Sequence, residues 1–298
     1  GMDRAKNGFR KNRAWPLCSH SKFRRRKMMT QNYRQACQRL LEFTARFGFV
    51  TRDIFFEFLC PLQRSSQYAI WAELKSSRLI EVSRSNADVF YLTKKGRALF
   101  QRPAIPARSI YFVEHDIYVA QLLLTLNQSG MLAEYWTERK LRSEPNVAFE
   151  VLGTDRLSKF PDLVVELKSA TGSLKIAIEV ERSQKTSARY DQIAMNYVNA
   201  TSLGLLVFAC ETQATRNSIQ KAFQGEYFER AAKIPATLLL EDFTKARAGA
   251  DVKFLNRTMS FKKLILAALK RTESDWIDGV DKTWKVVHEL SKKNTEAA

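Results

Sequence analysis

The sequence predicts two folded units in series: an α+β unit of three helices and a hairpin over residues 28–102, then a mixed α/β core over 109–245, followed by helices over 246–298. Three observations carry this. Apolar residues at helical spacing recur three times between Tyr33 and Leu74, then give way to two short apolar runs. Beyond Asp116, strand-length apolar runs alternate with amphipathic stripes, the order of a sheet with covering helices. Between the two, Pro103 and Pro106, flanked by Arg102 and Arg108, interrupt the periodicity.

Residues 1–27 come first and are different in kind. They carry Arg4, Lys6, Arg10, Lys11, Arg13, Lys22, Arg24, Arg25, Arg26 and Lys27 against Asp3 alone. Such a segment buries too little apolar surface to offset its ordering entropy, so it reads as a disordered electrostatic arm. It concentrates the excess of a chain with 49 Lys and Arg against 31 Asp and Glu, formally +18 over 298 residues. Phosphates are its natural partner, Arg24, Arg25, Arg26 and Lys27 being the densest group, because each neutralised DNA phosphate releases counterion. A solubilising or targeting tail is the competing reading.

Several classes are excluded or disfavoured. No apolar run, Leu205 to Cys210 included, approaches the roughly 18 residues a bilayer span requires, so no membrane is expected. The basic N-terminus lacks the apolar stretch of a secretory signal. Cys18, Cys37, Cys60 and Cys210 form no CxxC pair, which argues against a zinc module or disulfide scaffold and for a cytoplasmic protein.

In the first unit, Tyr33, Cys37, Leu40, Leu41 and Phe47 define a helix that Gly48 ends. Thr51 caps a second, with Ile54, Phe55, Phe58 and Leu59 inside, and Pro61 stops it. Ser65 and Ser66 are expected to cap a third, with Tyr68, Trp71 and Leu74 on its core face and Arg64, Ser66, Gln67, Ile70 and Glu73 opposite. Leu79–Val82 and Val89–Leu92 then pair across a polar turn. That order, closing on Thr93-Lys94-Lys95-Gly96, resembles a winged helix-turn-helix domain. The resemblance implies DNA binding, with the third helix in the major groove and the hairpin near the backbone. It makes Arg64, Ser66 and Gln67 groove-facing candidates and Arg84, Lys94 and Lys95 phosphate contacts. A protein-binding role for such a module is the alternative, and no bidentate constellation discloses a base.

The second unit opens with a helix from Asp116 through Leu126, ending near Gly130. Glu134–Leu141 is expected as a strand, Ala148–Leu152 as another, then Leu163–Leu167 and Leu174–Glu181 as a hairpin. A helix from Thr186 to Asn199, the strand Leu203–Cys210, a helix from Thr215 to Phe228 and the strand Ala236–Leu240 complete an antiparallel meander followed by parallel crossovers. In Lys175–Glu181, alternation puts Ile176, Ile178 and Val180 on one face and Glu179 and Glu181 on the other. A turn around Ser169–Ser173 brings Asp162 opposite Glu179 or Glu181. Three carboxylates then converge. Like charges that close disfavour one another unless a cation sits among them, and Mg2+ or Mn2+ suits hard oxygen ligands.

Phe160-Pro161-Asp162 followed by Glu179-Val180-Glu181 on an adjacent strand resembles the PD-(D/E)XK nuclease-like core of restriction endonucleases. With the unit before it, the chain resembles the replication-relaxation family of plasmid and mobile-element proteins over about residues 30–225. Glu114-His115-Asp116, Trp136 to Leu141 and Ile178 to Ser183 support this by their order. The resemblance implies DNA as partner, a homodimer or a replication or mobilisation protein as further partner, and metal-dependent phosphodiester hydrolysis. Asp162 and Glu179 match the metal-binding acids, and Glu138 is a candidate for a further upstream acid. Glu181 departs from the pattern, since active members usually have lysine there. Lys185 is the nearest substitute, ahead of Arg182 and Lys159. An inactive, nuclease-like accessory or transcriptional regulator is therefore the alternative. His115 heads a helix bordering the same cleft, where a capping or packing role competes with that of a base.

Downstream, Phe261, Leu264, Ile265 and Leu269 predict one amphipathic helix, and Trp276, Ile277, Val280, Trp284 and Val287 another. Docking on the chain's own core or on a partner would bury them.

Overall fold

The computed structural model describes residues 31–84, 86–100, 110–154, 157–169, 172–224, 228, 234–255, 257–270 and 272. The arm, with Arg24, Arg25, Arg26 and Lys27, and the expected last helix lie outside them. Among the described residues no helix is long and apolar enough to cross a membrane.

α1 (Gln31–Phe47) ends on Gly48, whose φ of 89° lets its N–H reach back to the Thr44 carbonyl at 2.9 Å. β1 (Val50–Thr51) follows, and Thr51 caps α2 (Arg52–Ile54) by accepting from the Ile54 N–H at 3.1 Å. The second helix then widens into a π-helical turn, Phe55–Leu59. Gln67 Nε2 donates to Phe56 O in that turn at 3.1 Å and to Cys60 O just beyond it at 2.8 Å. α3 (Arg64–Ser76) starts after Gln63, with no side-chain cap from Ser65 or Ser66. Its phase also differs from expectation. Gln67, Ile70, Trp71 and Leu74 are buried, while Tyr68 is 54 % exposed, so the outward face is Arg64, Ser65, Tyr68, Ala69, Ala72 and Lys75.

β2 (Ile80–Val82) and β3 (Val89–Leu92) form the expected hairpin, and β1 adds to it in the antiparallel order β1-β3-β2. Thr93 caps the short α4 (Lys94–Ala98).

α5 (Ile110–Asn127) leads into a seven-stranded mixed sheet built from β4 (Leu132–Thr137), β5 (Leu163–Ser169), β6 (Gly172–Glu181), β7 (Leu205–Cys210), β8 (Pro235–Leu239), β9 (Asp251–Phe254) and β10 (Arg257–Ser260). The strands lie side by side in reverse chain order, β10 to β4. β4–β5–β6 is an antiparallel meander, and β6–β7–β8 are parallel through α8 (Ser187–Val198) and α9 (Gln213–Ala222). The β9–β10 hairpin, not expected from the sequence, extends the edge.

Of two segments expected as strand, Glu134–Leu141 is strand only as far as Thr137 and helix beyond it, and Ala148–Leu152 is helical throughout. Thr137 ends β4 and accepts from the Lys140 N–H, starting α6 (Glu138–Ser143), and Pro145 occupies the first turn of α7 (Pro145–Leu152). Both cover the sheet with α8 and α9, packing Leu141, Val151, Ile193 and Ile219 over Val164, Ala177 and Phe208. On the other face Leu163, Val165, Ile176 and Ile178 pack against α5, α10 (Leu240–Ala246) and α11 (Phe261–Ala268), the last of these the helix the sequence predicts. The core is thus a three-layer α/β unit.

Candidate active site

β5 and β6 pair in the register Leu163↔Ile178 and Val164↔Ala177, which sets Asp162, just before β5, beside Glu179 and Val180. The Val180 N–H donates to Asp162 Oδ2 at 2.8 Å. Because side chains alternate along each strand, Asp162, Glu179 and Glu181 share the face toward α6–α9. They are 8 %, 1 % and 1 % exposed. The convergence expected from the sequence is therefore present, and deeply recessed.

Each acid meets a cation or donor. Lys159, in the turn before Pro161, pairs with Glu179 Oε2 and lies 3.7 Å from Glu181 Oε1. Lys185 pairs with Glu181 Oε2, and the Tyr197 hydroxyl donates to Glu179 Oε1. His115 Nε2 is 3.0 Å from Asp162 Oδ2, and its Nδ1 is 3.3 Å from Asp116 Oδ1. α8 underpins much of this. Asn196 accepts from the Ser158 N–H at 2.9 Å and donates to the Lys159 carbonyl at 2.8 Å, while the Tyr190 hydroxyl accepts from the Lys185 N–H at 3.2 Å.

These surroundings drive the two central acids apart. Burial and the Asp162 charge push Glu179 up to about 7, with Lys159 and Tyr197 opposing. Burial would raise Asp162 as well, but the His115 hydrogen bond and the Lys159 charge hold it below the ordinary value. Burial and Lys159 lower Lys185 to about 8. Against burial, the bonds to Asp116 and Asp162 raise His115 to about 10.

The remaining candidates separate. Glu138 heads α6, its N–H donating to the Asp162 carbonyl at 3.1 Å, and its carboxylate accepts from Arg142 at 2.7 and 3.0 Å. It still lines the cleft. Lys185 reaches the site as expected, but Lys159 sits between two of the acids and is the better-placed ammonium, which sequence order alone does not disclose. Gln67 is buried and bonded to the π turn, so it is not on a groove face. Ser66 is half-buried, and Arg64 lies over the Phe56 ring at 4.7 Å. Arg84 is exposed in the β2–β3 turn. Lys94 and Lys95 are exposed on α4, with Lys95 Nζ on the Ser77 carbonyl at 3.0 Å.

Among the described residues, no group of three or more His, Cys, Asp or Glu side chains is arranged to hold a metal ion. The donor set is nevertheless the hard-oxygen kind that Mg2+ or Mn2+ takes, and Glu181 Oε1 is buried without a hydrogen-bond partner. In chemistry the residues fit.

A cleft of about 630 Å³ leads to the acids, lined by Phe112, His115, Asp116, Glu138, Lys159, Asp162, Val180, Glu181, Arg182, Ser183 and Lys185. A smaller cavity of about 80 Å³ adjoins it through His115, Asp116, Glu138 and Asp162, walled by Arg46, Phe47, Phe49 and Tyr91 of the N-terminal unit.

No family model matches the chain. No curated protein matches it in sequence either. Among solved structures it is weakly similar to the restriction endonuclease FokI bound to DNA, with a TM-score of 0.26 and 10 % identity over 74 % of this chain and 45 % of that one. FokI in a second structure gives 0.26, 10 %, 74 % and 44 %. The chain spans less than half the length of the FokI chains it matches, and a likeness of that order carries no argument.

Proposed function

We propose that this is a DNA-binding protein of plasmid or mobile-element replication, relaxation or transfer, whose PD-(D/E)XK-like core hydrolyses a phosphodiester with Mg2+ or Mn2+. The observation that carries the reading is the convergence of Asp162, Glu179 and Glu181 on one sheet face, recessed beneath a cleft, with Lys159 between two of them. Asp162, Glu179 and Glu181 would hold the ion, which supplies Lewis-acid activation of water and neutralises phosphate oxygen. Lys159 provides the ammonium that position 181 lacks, directed at charge developing on phosphorus. His115 holds the Asp162 carboxylate in orientation, and Tyr197 does the same for Glu179. The N-terminal helices with the β1-β3-β2 sheet act as a winged helix, offering α3 to the major groove by its outward face, Arg64, Ser65, Tyr68, Ala69, Ala72 and Lys75. Arg84 and the arm add phosphate contacts.

One feature favours a second reading. Lys159 and Lys185 already pair with Glu179 and Glu181, so two of the acids have counter-charges without a metal, as a non-catalytic accessory protein requires. Incubating supercoiled and branched DNA with Mg2+ or Mn2+ separates the two. Nicking lost in both Asp162→Ala and Glu179→Ala establishes the enzyme, whereas salt-sensitive binding without nicking establishes the accessory.

A further inference from the structure

We infer that the N-terminal turn of α9 is a second anion subsite, with Arg216 as its cation, that holds a backbone phosphate of the DNA presented to the acids. The inference rests on the nucleic-acid reading above and adds a contact that the acid cluster does not make. Arg216 is 7 % exposed, and among the described residues no carboxylate pairs with it. Its Nη2 donates to the Gln213 side-chain oxygen, while its Nε is buried without a hydrogen-bond partner. A buried guanidinium answered by one neutral amide is under-compensated, and an anion beside it would relieve the cost. The backbone supplies the rest. Thr212 caps α9, its hydroxyl accepting from the Thr215 N–H and its carbonyl from the Arg216 N–H, each at 3.1 Å. The Gln213 and Ala214 N–H groups have no partner among the described residues, and Thr212, Gln213 and Ala214 are exposed. Long side chains on a helix lean toward its N-terminus, so the guanidinium lies against the turn whose N–H groups point outward. Outward N–H groups at the positive end of a helix, with a guanidinium against them, suit a phosphate oxygen.

The subsite adjoins the acids. β6 and β7 pair Glu181 with Cys210, the Glu211 N–H donates to the Glu181 carbonyl at 2.9 Å, and Thr212 follows directly. α9 covers the sheet face to which the three acids point. Gln184 Nε2 donates to Ser218 Oγ at 3.3 Å, tying α9 to the loop from which Arg182, Ser183 and Lys185 line the cleft. Arg216 and Lys185 both oppose the upward push of burial on the Cys210 thiol, so both cations lie near the end of β7. The acid nearest in sequence, Glu211, has its Oε2 3.6 Å from Arg182 Nε.

The test is fluorescence anisotropy with the full chain in EDTA near physiological salt, using labelled duplex and labelled branched DNA. Arg216→Met removes the charge and keeps a buried stem. Gln213→Pro, measured against Gln213→Ala, removes one first-turn N–H where proline suits the helix and Thr212 is already extended. Arg216→Met should weaken binding about ten-fold and reduce the slope of log K against log salt by about 0.9. Gln213→Pro should bind several-fold more weakly than Gln213→Ala. A folded Arg216→Met chain that binds as the parent does overturns the inference. Where Arg216→Met does not fold, equal affinities of Gln213→Pro and Gln213→Ala overturn it instead. Inorganic phosphate that raises the melting temperature of the parent but not of Gln213→Pro, with DNA affinity equal in the two Gln213 variants, also overturns it, because the turn then takes a free ion and not a strand. Nicking by the parent with affinity unchanged in every variant removes this inference and leaves the nuclease. Weakened binding in Arg216→Met and Gln213→Pro, without nicking by the parent, does the reverse. Failure of the parent to bind either probe removes both.

Discussion

Gln67 and Lys75 sit on the same helix, one buried and one exposed, and the proposed function gives them separable, measurable effects. Gln67 is buried and donates to two backbone carbonyls, Phe56 in the π turn and Cys60 just beyond it. Gln67→Ala leaves those acceptors unmet, so urea unfolding should show a loss of about 1–3 kcal/mol while DNA affinity of the folded protein is unchanged. Lys75 is exposed on the outward face. Lys75→Ala should leave stability within about 0.5 kcal/mol, weaken DNA binding across sequences, and reduce the slope of log K against log salt by about 0.9. The thiols give a second residue-level prediction. Burial pushes Cys210 up to about 12, with Arg216 and Lys185 opposing, and raises Cys37 and Cys60 too. Thiolate is the reactive form, so iodoacetamide at mildly alkaline pH should spare all three in the native protein and label them in urea. Rapid native labelling of Cys210 would mean that the end of β7 opens.

At the scale of elements, close approach decides what a sequence can change. A Cβ built on Gly96 in α4 would lie 2.3 Å from the Leu79 carbonyl oxygen, a backbone atom at the start of the hairpin. Neither can yield cheaply. Gly96→Ala, a favourable change in an open helix, should therefore destabilise by about 1–3 kcal/mol, read as a lower urea midpoint at unchanged m. Elements whose evidence is local were legible in the sequence. The alternation of β6 discloses the shared face of Asp162, Glu179 and Glu181, but it leaves Asp162 opposite either Glu179 or Glu181, and only the pairing Ser169↔Gly172 to Leu163↔Ile178 chooses Glu179. α6 and α7 were misread because their short apolar runs are compatible with strand, although Thr137-Glu138 and Pro145 were start signals, and Gly153, at φ 75°, a stop. The phase of α3 is not legible from its aromatics, because Tyr68 faces outward while Gln67 takes a core position. Lys159 is hidden from the sequence for a different reason: its turn is held by Asn196, far along the chain, and its ammonium lies between two acids.

For the whole molecule, the decisive element is α5. Val113, Ala120 and Leu124 pack into the N-terminal core with Leu40, Ile54 and Trp71, while Val119, Leu122, Leu123 and Leu126 pack into the sheet core with Leu163 and Ile178. One helix is thus shared by two cores. Contacts beyond it tighten the joint. Phe47 stacks on Tyr135 at 6.2 Å, and Arg247, reaching from the far end of the sheet unit, donates to Glu57 at 2.9 Å and Gln121 at 3.2 Å. If the units were independent, each would melt separately and a substitution in one core would move one transition only. With α5 common to both, Leu124→Ala and Leu123→Ala should each cost about 2–5 kcal/mol and lower the same single calorimetric transition, although they face different cores. Arg247→Ala, which loosens the joint without opening a core, should broaden that transition more than it lowers it. Two resolved transitions in the parent chain, with Leu124→Ala shifting only one, would show that the acids and the N-terminal unit are not held as one body.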